Sequence, residues 1–315
     1  MTRVVVVGNG MAGARFAHEL LDRDPGRRFT ITVVGDEPGG AYNRVLLSNV
    51  LAGITRADRI TTAGPDWYAA HGVTLRAGTP VIEIDRATQT VHLAGGGALP
   101  YDVLVLATGS APLLPPVPGL RRPDGSLRPG AALFRTRDDC VAIDGWATNA
   151  TRAVVLGAGV LGLEAARALA GRGLAVTVVQ REDRLMERQL DAVAGRVLRR
   201  TLRGLGVDIV AGVTAAEVHG SDHVTGVTLS DGSHIDAELL VLCCGVRPRV
   251  DLARAAALEV RSGVVVDDRL RTVSDERIFA IGECAEHRGR LYGLVAPVWE
   301  QARVAAAVLA EESSA

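Results

Sequence analysis

Residues 4–13 read VVVVGNGMAG and residues 153–162 read AVVLGAGVLG. Each is an apolar run that meets glycines spaced G-x-G-x-x-G. No other feature restricts the fold so tightly, because the pattern demands a strand, a sharp turn and a helix in that order. The first glycine makes the turn out of the strand. The second lets backbone approach a pyrophosphate, and the third lets the helix pack closely on the strand. The helix N-terminus then offers free N–H groups and the positive end of its dipole to an anion. In the first copy the glycines are Gly8, Gly10 and Gly13; in the second they are Gly157, Gly159 and Gly162.

The flanking residues repeat the plan. Val4 to Val7 is a β-branched run suited to a buried parallel strand. Phe16, Ala17, Leu20 and Leu21 follow at helical spacing, as do Leu163, Ala166, Leu169 and Ala170 in the second copy. A further strand follows each helix, Thr30 to Val34 and Ala175 to Val179. The segment 36–53 combines turn residues with a short helix. Residues 73–93 alternate apolar and polar, which predicts short antiparallel strands with a turn near Asp85 to Thr88. YDVLVLATGS (101–110) predicts a buried strand running into a glycine turn. Six prolines within 111–130 mark a linker and a candidate domain boundary. The second half then runs through the same order, with an alternating section at 207–240 and a buried strand in LLVLCCGVRP (239–248). Residues 264–287 predict another strand pair. A helix carries Pro297 in its first turn, and the tail 311–315 is expected to fray. Two similar β-α-β domains imply two nucleotide sites, one for a tightly bound redox cofactor and one for a diffusible nucleotide.

Composition removes several classes. A chain of 315 residues can hold two medium domains. No apolar run reaches the roughly 18 residues of a membrane span. The N-terminus enters a strand without a leader pattern, which leads us to expect a cytoplasmic protein. A net charge of −1 gives no basic field for nucleic acid. All 35 basic residues are arginine, which excludes a lysine Schiff base, a PLP anchor and a P-loop lysine. Cys140, Cys243, Cys244 and Cys284 form no metal-ligand spacing, so neither zinc nor an iron–sulfur cluster is expected. Neighbouring Cys243 and Cys244 read as two buried thiols at a strand end rather than a strained vicinal disulfide.

Longer strings carry a family resemblance. GNGMAG, EPGGAYNRVLLS, LATGS, LMERQLD (185–191), GECAEHRG (282–289) and LYGLVAPVWEQA (291–302) resemble the two-dinucleotide-domain flavoprotein reductases of the pyridine nucleotide–disulphide oxidoreductase superfamily. Within it, nearly the whole chain resembles the N-terminal flavoprotein region of assimilatory nitrite reductase large subunits. The resemblance implies an α/β fold of two Rossmann-like dinucleotide-binding domains with β-meanders, the NAD(P) domain inserted in the FAD domain. The implied boundaries are 1–115 and 246–315 for FAD and 116–245 for NAD(P)H.

The same resemblance implies a site for FAD at Gly8, Asn9, Gly10, Met11, Ala12 and Gly13. Asp36 or Glu37 binds the adenosine ribose, or else is an exposed loop charge. Arg44 matches an arginine beside FAD, with a surface role as the alternative, and Ser48 joins the cofactor-binding set. Val81 touches the adenine through backbone, and Ala107, Thr108 and Gly109 turn against the cofactor. Gly282 and Glu283 match a second FAD motif, usually Gly-Asp, whose carboxylate accepts from the ribityl chain. The helix near Pro297 points its positive end at the flavin ring. Trp299 packs near that ring or is an ordinary core aromatic. NAD(P)H is implied at Gly157, Gly159, Val160, Leu161, Gly162 and Gly245. Glu164 stands near the nicotinamide or is a charge in the first helical turn. Gln180 occupies the place where NADH sites put an acid, and Arg181 or Arg184 suits a 2′-phosphate, which tilts the reading to NADPH.

The sequence departs from the family at several points. NRVLLS lacks the C-x-x-x-x-C of the disulphide reductases, so no disulphide relays electrons there. Asn49 stands where ferredoxin reductases commonly have lysine. The C-terminal interface domain and the cluster and sirohaem modules of nitrite reductase are absent from this sequence, so it is not expected to reduce nitrite itself. The implied activity is an FAD-dependent NAD(P)H oxidoreductase with no catalytic side chain, flavin N5 being the redox centre, and with a separate acceptor protein such as an iron–sulfur protein or a nitrite or nitrate reductase component. Two other readings stay open: a flavin oxidase or tailoring enzyme acting on oxygen or a small substrate, and a non-catalytic nucleotide- or redox-sensing subunit.

Overall fold

A computed structural model describes residues 1–312. The chain forms two compact units. One comprises Met1–Asn43, Thr61–Ala111 and the chain from Arg247 onward; the other comprises Arg44–Ile60 and Pro112–Val246.

The first unit is built on β1 (Thr2–Val7), α1 (Met11–Asp22) and β2 (Phe29–Val34). Val4 to Val7 are all at most 5% exposed, so the strand is covered on both faces, as its unbroken apolar run requires. β1 pairs in parallel with β2 on one side and with Val103–Leu106 on the other. The strand Asp275–Ala280, from the far end of the sequence, extends the parallel set beyond Val103–Leu106. Thr74–Arg76 closes the opposite edge, parallel to β2. This last pairing corrects the expectation that 73–93 is wholly antiparallel. Its short alternation fits either pairing, and contact with β2 decides. The meander itself is Val81–Asp85, Thr90–Leu93 and Ala98–Pro100. Phe16, Ala17 and Leu20 of α1 are fully buried. The C-terminal helix Val295–Glu312 lies along α1 through Ala302, Ala305 and Ala306, small residues that permit close approach. Pro297 is the third residue of that helix, where it removes no hydrogen bond. The expected frayed tail is helical through Glu312, and its remainder lies outside the described residues.

The second unit repeats the scheme with five parallel strands, in the order Ala131–Leu133, Leu239–Leu242, Arg152–Leu156, Ala175–Gln180 and Val207–Ala211. Its fingerprint helix is Val160–Gly171. Its meander is Ala215–His219, Gly226–Leu229 and His234–Asp236. The proline-rich stretch is packed rather than slack. Leu120 is 1% exposed in this unit's core, and Leu114, Val117 and Leu127 pack against that core. Residues 264–287 give more than the expected pair, with Val264–Val266, Arg271–Thr272, Asp275–Ala280 and Ala285–His287 all joining the first sheet.

Asp102, just before the Val103–Leu106 strand, is tied to Arg3 on β1. It accepts from the Arg3 N–H at 2.7 Å and from the Arg3 guanidinium at 2.7 and 3.1 Å. The Arg3 hydrogen bonds hold its carboxyl at about 2. A folded-state value below the unfolded one means that this stability is present above about pH 4 and is lost as pH falls through the folded value. Both side chains are partly exposed, so solvent screening keeps the contribution small. Urea titrations should therefore show Asp102→Asn less stable than the parent at pH 7, with the difference vanishing near pH 2.

Candidate functional site

The two fingerprints fold alike down to individual hydrogen bonds. Gly8 N–H donates to Val34 O at 2.7 Å, and Gly157 N–H to Val179 O at 2.8 Å. Gly8 has φ +116° and Gly157 +105°. A Cβ at Gly8 would lie 2.1 Å from Ala107 O; one at Gly157 would lie 2.3 Å from Cys243 O. Gly13 and Gly162 each press on the carbonyl of the first glycine, 2.0 Å from where a Cβ would stand. By contrast, a Cβ at Gly10 or Gly159 would meet no atom within 4 Å. The protein does not fill that space.

Both cradles end in a helix. α1 starts after Gly10 and makes its first hydrogen bond from Ala14 N–H to Gly10 O; the second unit's helix starts after Gly159 with Leu163 N–H to Gly159 O. The amides of Met11, Ala12 and Gly13, and of Val160, Leu161 and Gly162, are the leading donors of these helices. Neither first turn holds an acidic residue that would repel an anion.

In the first unit, Gly8, Asp36, Val81 and Thr108 line one cavity of about 250 Å³. Arg247 and Arg249 line it too. Arg249 pairs with Asp36 at 2.6 Å, and its backbone clamps the turn at 107–109: Thr108 Oγ1 donates to Arg249 O at 2.7 Å and Arg249 N–H to Gly109 O at 2.9 Å. Glu37 instead accepts from the Tyr42 hydroxyl at 2.6 Å. Asn9 accepts from Tyr68 at 2.5 Å, and its amide donates to Gly39 O at 3.4 Å. Burial pushes the Tyr68 phenol up, so it stays protonated and donates. Gly282, at φ +80°, lies over α1, with its Cβ position 3.0 Å from that of Ala12. Gln301, on the C-terminal helix, accepts the Gly282 N–H at 2.7 Å. Trp299 is 45% exposed, with the Arg15 guanidinium 5.6 Å from its ring centroid, so it is not a core aromatic.

Arg44 and Ser48 group with the second unit, where Arg44 donates to Arg135 O at 2.6 Å and Ser48 is buried on the short helix Leu47–Leu51. In that unit Gln180 is buried. Its amide oxygen accepts from Ala158 N–H at 2.8 Å and its NH2 donates to Glu187 at 3.2 Å. Arg181 is exposed and pairs with Glu182 at 3.0 Å. Glu164 is exposed and stands past the first turn, not in it. Gly245 has φ +98° beyond the Leu239–Leu242 strand. All four cysteines are free thiols. Burial pushes Cys140 to about 12 and raises the other three, so none is an activated nucleophile. Among the described residues, no group of three or more His, Cys, Asp or Glu could hold a metal, and no helix is long and apolar enough to cross a membrane.

Sequence reasoning missed Tyr68, Ser110, Arg249 and Gln301. Ser110 stands in the quoted LATGS string and Gln301 in VWEQA, but the partner that gives each its role is far away in the chain. Tyr68 and Arg249 carry no local signal.

Comparison with known proteins agrees with this fold. The model of the family described as pyridine nucleotide-disulphide oxidoreductase matches residues 2–308. The assimilatory nitrate reductase electron transfer subunit of Bacillus subtilis is 40% identical over 304 residues, 96% of this chain and 38% of that protein. The nitrite reductase [NAD(P)H] of the same organism is 41% identical over 306 residues, 96% of this chain and 37% of that protein. The chain thus spans well under half the length of these relatives. Among solved structures, the covalent putidaredoxin reductase–putidaredoxin complex superposes with a TM-score of 0.92 at 33% identity, over 98% of this chain and 75% of that one.

The glycines separate into two kinds by what a methyl would meet. Gly8→Ala forces a side chain onto the Ala107 carbonyl at positive φ and should destabilise the apo-protein by more than about 3 kcal/mol. Gly10→Ala has extended backbone and open space, and should change unfolding by no more than about 1 kcal/mol. Chemical denaturation of the two apo-variants measures both.

Proposed function

The chain belongs to the pyridine nucleotide-disulphide oxidoreductase family, and from that premise we propose that it is an FAD-dependent NAD(P)H oxidoreductase that hands electrons to a separate acceptor protein in the cytoplasm. The observation that carries this reading is the pair of matching cradles, each with an open second glycine at a helix N-terminus. Two such cradles on two sheets suit two dinucleotides. FAD, when bound, would supply the redox chemistry that links the nicotinamide to the acceptor.

The side chains bind and orient. Gly10 leaves room for the FAD pyrophosphate, and the amides of Met11, Ala12 and Gly13 receive its charge. Asp36 offers its carboxylate to ribose hydroxyls within the cavity that Val81 and Thr108 also line. Glu283 accepts from the ribityl hydroxyls. The amino end of the C-terminal helix, tied to Gly282 by Gln301, supplies partial positive charge. Gly159 and the amides of Val160, Leu161 and Gly162 do the same for the diffusible nucleotide. The strand end at Gln180 lacks the acid that NADH sites use, and exposed Arg181 follows it, which supports NADPH as donor. The thiols take no part, since none is activated. For the acceptor, the similarity to an electron transfer subunit and to putidaredoxin reductase supports a partner such as an iron–sulfur protein or a nitrite or nitrate reductase component.

Anaerobic mixing of FAD-loaded protein with NADPH or NADH tests the assignment. The parent should bleach rapidly, and faster with NADPH. Gly10→Val should fold but lose FAD. Gly159→Val should keep FAD and bleach with dithionite but not with either nucleotide. A loaded parent that neither nucleotide reduces would overturn the reading. Arg181→Ala should lower kcat/KM for NADPH by about tenfold and leave NADH unchanged, the loss of one charged contact to the 2′-phosphate.

A further inference from the structure

Ser110 and Glu283 are separated by 173 positions, yet the Ser110 hydroxyl donates to Glu283 Oε2 at 2.5 Å. Ser110 is 5% exposed and opens the strand Ser110–Pro112, directly after the turn at Ala107–Gly109. Glu283 sits on the single turn Gly282–Cys284. That turn is fixed from two further sides, by Gln301 on the Gly282 N–H and by the close approach of Gly282 to Ala12 on α1. The turn at 107–109 is fixed in its own right, under Gly8 through Ala107 and against Arg249 through Thr108. The backbone on both sides of the Ser110–Glu283 contact is therefore held in place. Within it, a glutamate has three side-chain torsions and a long reach. A hydrogen bond to one carboxylate oxygen narrows the positions that such a side chain can sample.

A serine hydroxyl has one proton to give, and here it goes to a carboxylate oxygen, a strong charge-assisted bond. We propose that Ser110 is a positioning residue: it holds the Glu283 carboxylate in one rotamer, so that the carboxylate is presented as an oriented acceptor to the hydroxyl groups of the FAD ribityl chain. The inference rests on the assignment of this cradle to FAD. An anchored, acceptor-only carboxylate selects a ligand that brings donors, and a polyol chain does so. Ser110 itself touches no ligand in this account; it acts through Glu283.

The experiment is a double-mutant cycle read by equilibrium binding. The Kd of FAD for the apo-protein is measured by flavin fluorescence quenching, and the visible circular dichroism of bound flavin is recorded. The proteins are the parent, Ser110→Ala, Ser110→Thr, Glu283→Gln and the Ser110→Ala/Glu283→Gln double variant. Ser110→Ala should weaken FAD by about tenfold, the loss of one hydrogen bond to a charged group, and should alter the dichroism. Ser110→Thr, which keeps the hydroxyl, should restore both to within about twofold. In the Glu283→Gln background the serine should matter little, so the double variant should bind FAD as Glu283→Gln alone does. Equal losses in both backgrounds would overturn the proposal, because they would mean that Ser110 acts on the fold and not through the carboxylate. An unchanged Kd for Ser110→Ala would overturn it as well. If Ser110→Ala does not fold, Ser110→Cys, nearly isosteric but a weak donor, takes its place with the same expected loss. A parent that binds no FAD would instead remove the assignment of the site, an outcome separate from either result.

Discussion

The structure depends on two backbone contacts in which nothing but hydrogen fits. Gly8 lies against the Ala107 carbonyl and Gly157 against the Cys243 carbonyl, each at a distance that a single methyl would violate. In both units the fingerprint strand is the central one of a parallel set, and the contact is made with the end of its neighbour. The first glycine lets the chain leave the sheet there at once and enter a helix. The helix N-terminus is thereby delivered to the carboxyl ends of the strands, where a parallel sheet binds ligands. The third glycine, pressed on the carbonyl of the first, holds the helix at that point. The open space at the second follows from the other two.

Around this shared element the two units differ in how they complete their walls. In the second unit, the strand beyond Leu239–Leu242 is Ala131–Leu133, supplied from within the unit's own continuous stretch. In the first, the corresponding place beyond Val103–Leu106 is filled by Asp275–Ala280, brought back from the end of the sequence. That return is what sets Gly282, Glu283 and the C-terminal helix at the first cradle. The first site accordingly draws polar contacts from distant parts of the chain, among them Asp36 with Arg249 and Ser110 with Glu283. The second presents an exposed Arg181 and a buried Gln180. The same motif is thus used twice with different surroundings.

Much of this was legible in the residues. Unbroken valines at 4–7 meant a strand covered on both faces, and it is. The glycine spacing predicted which positions must be bare and which must stay open, because the pattern itself encodes backbone approach. Elsewhere local pattern was ambiguous. Thr74–Arg76 alternates like a meander strand, but β2 takes it in parallel. The prolines of 112–129 looked like a spacer, yet they carry Leu114, Val117 and Leu120 into a core. Proline restricts the chain without saying what its neighbours touch.

The sequence by itself determined the two cradles, since strand, turn and helix are set within ten residues by side-chain size and backbone freedom. It also limited what this chain's own side chains can do, since the sequence contains no lysine. Only the tertiary structure decided which polar groups meet. Tyr68 finds Asn9, Arg249 finds Asp36, and Ser110 finds Glu283 across separations of 59, 213 and 173 residues. A hydrogen bond needs its two atoms within about 3 Å. No local pattern carries that information, because the distance is set by where whole strands and helices come to rest.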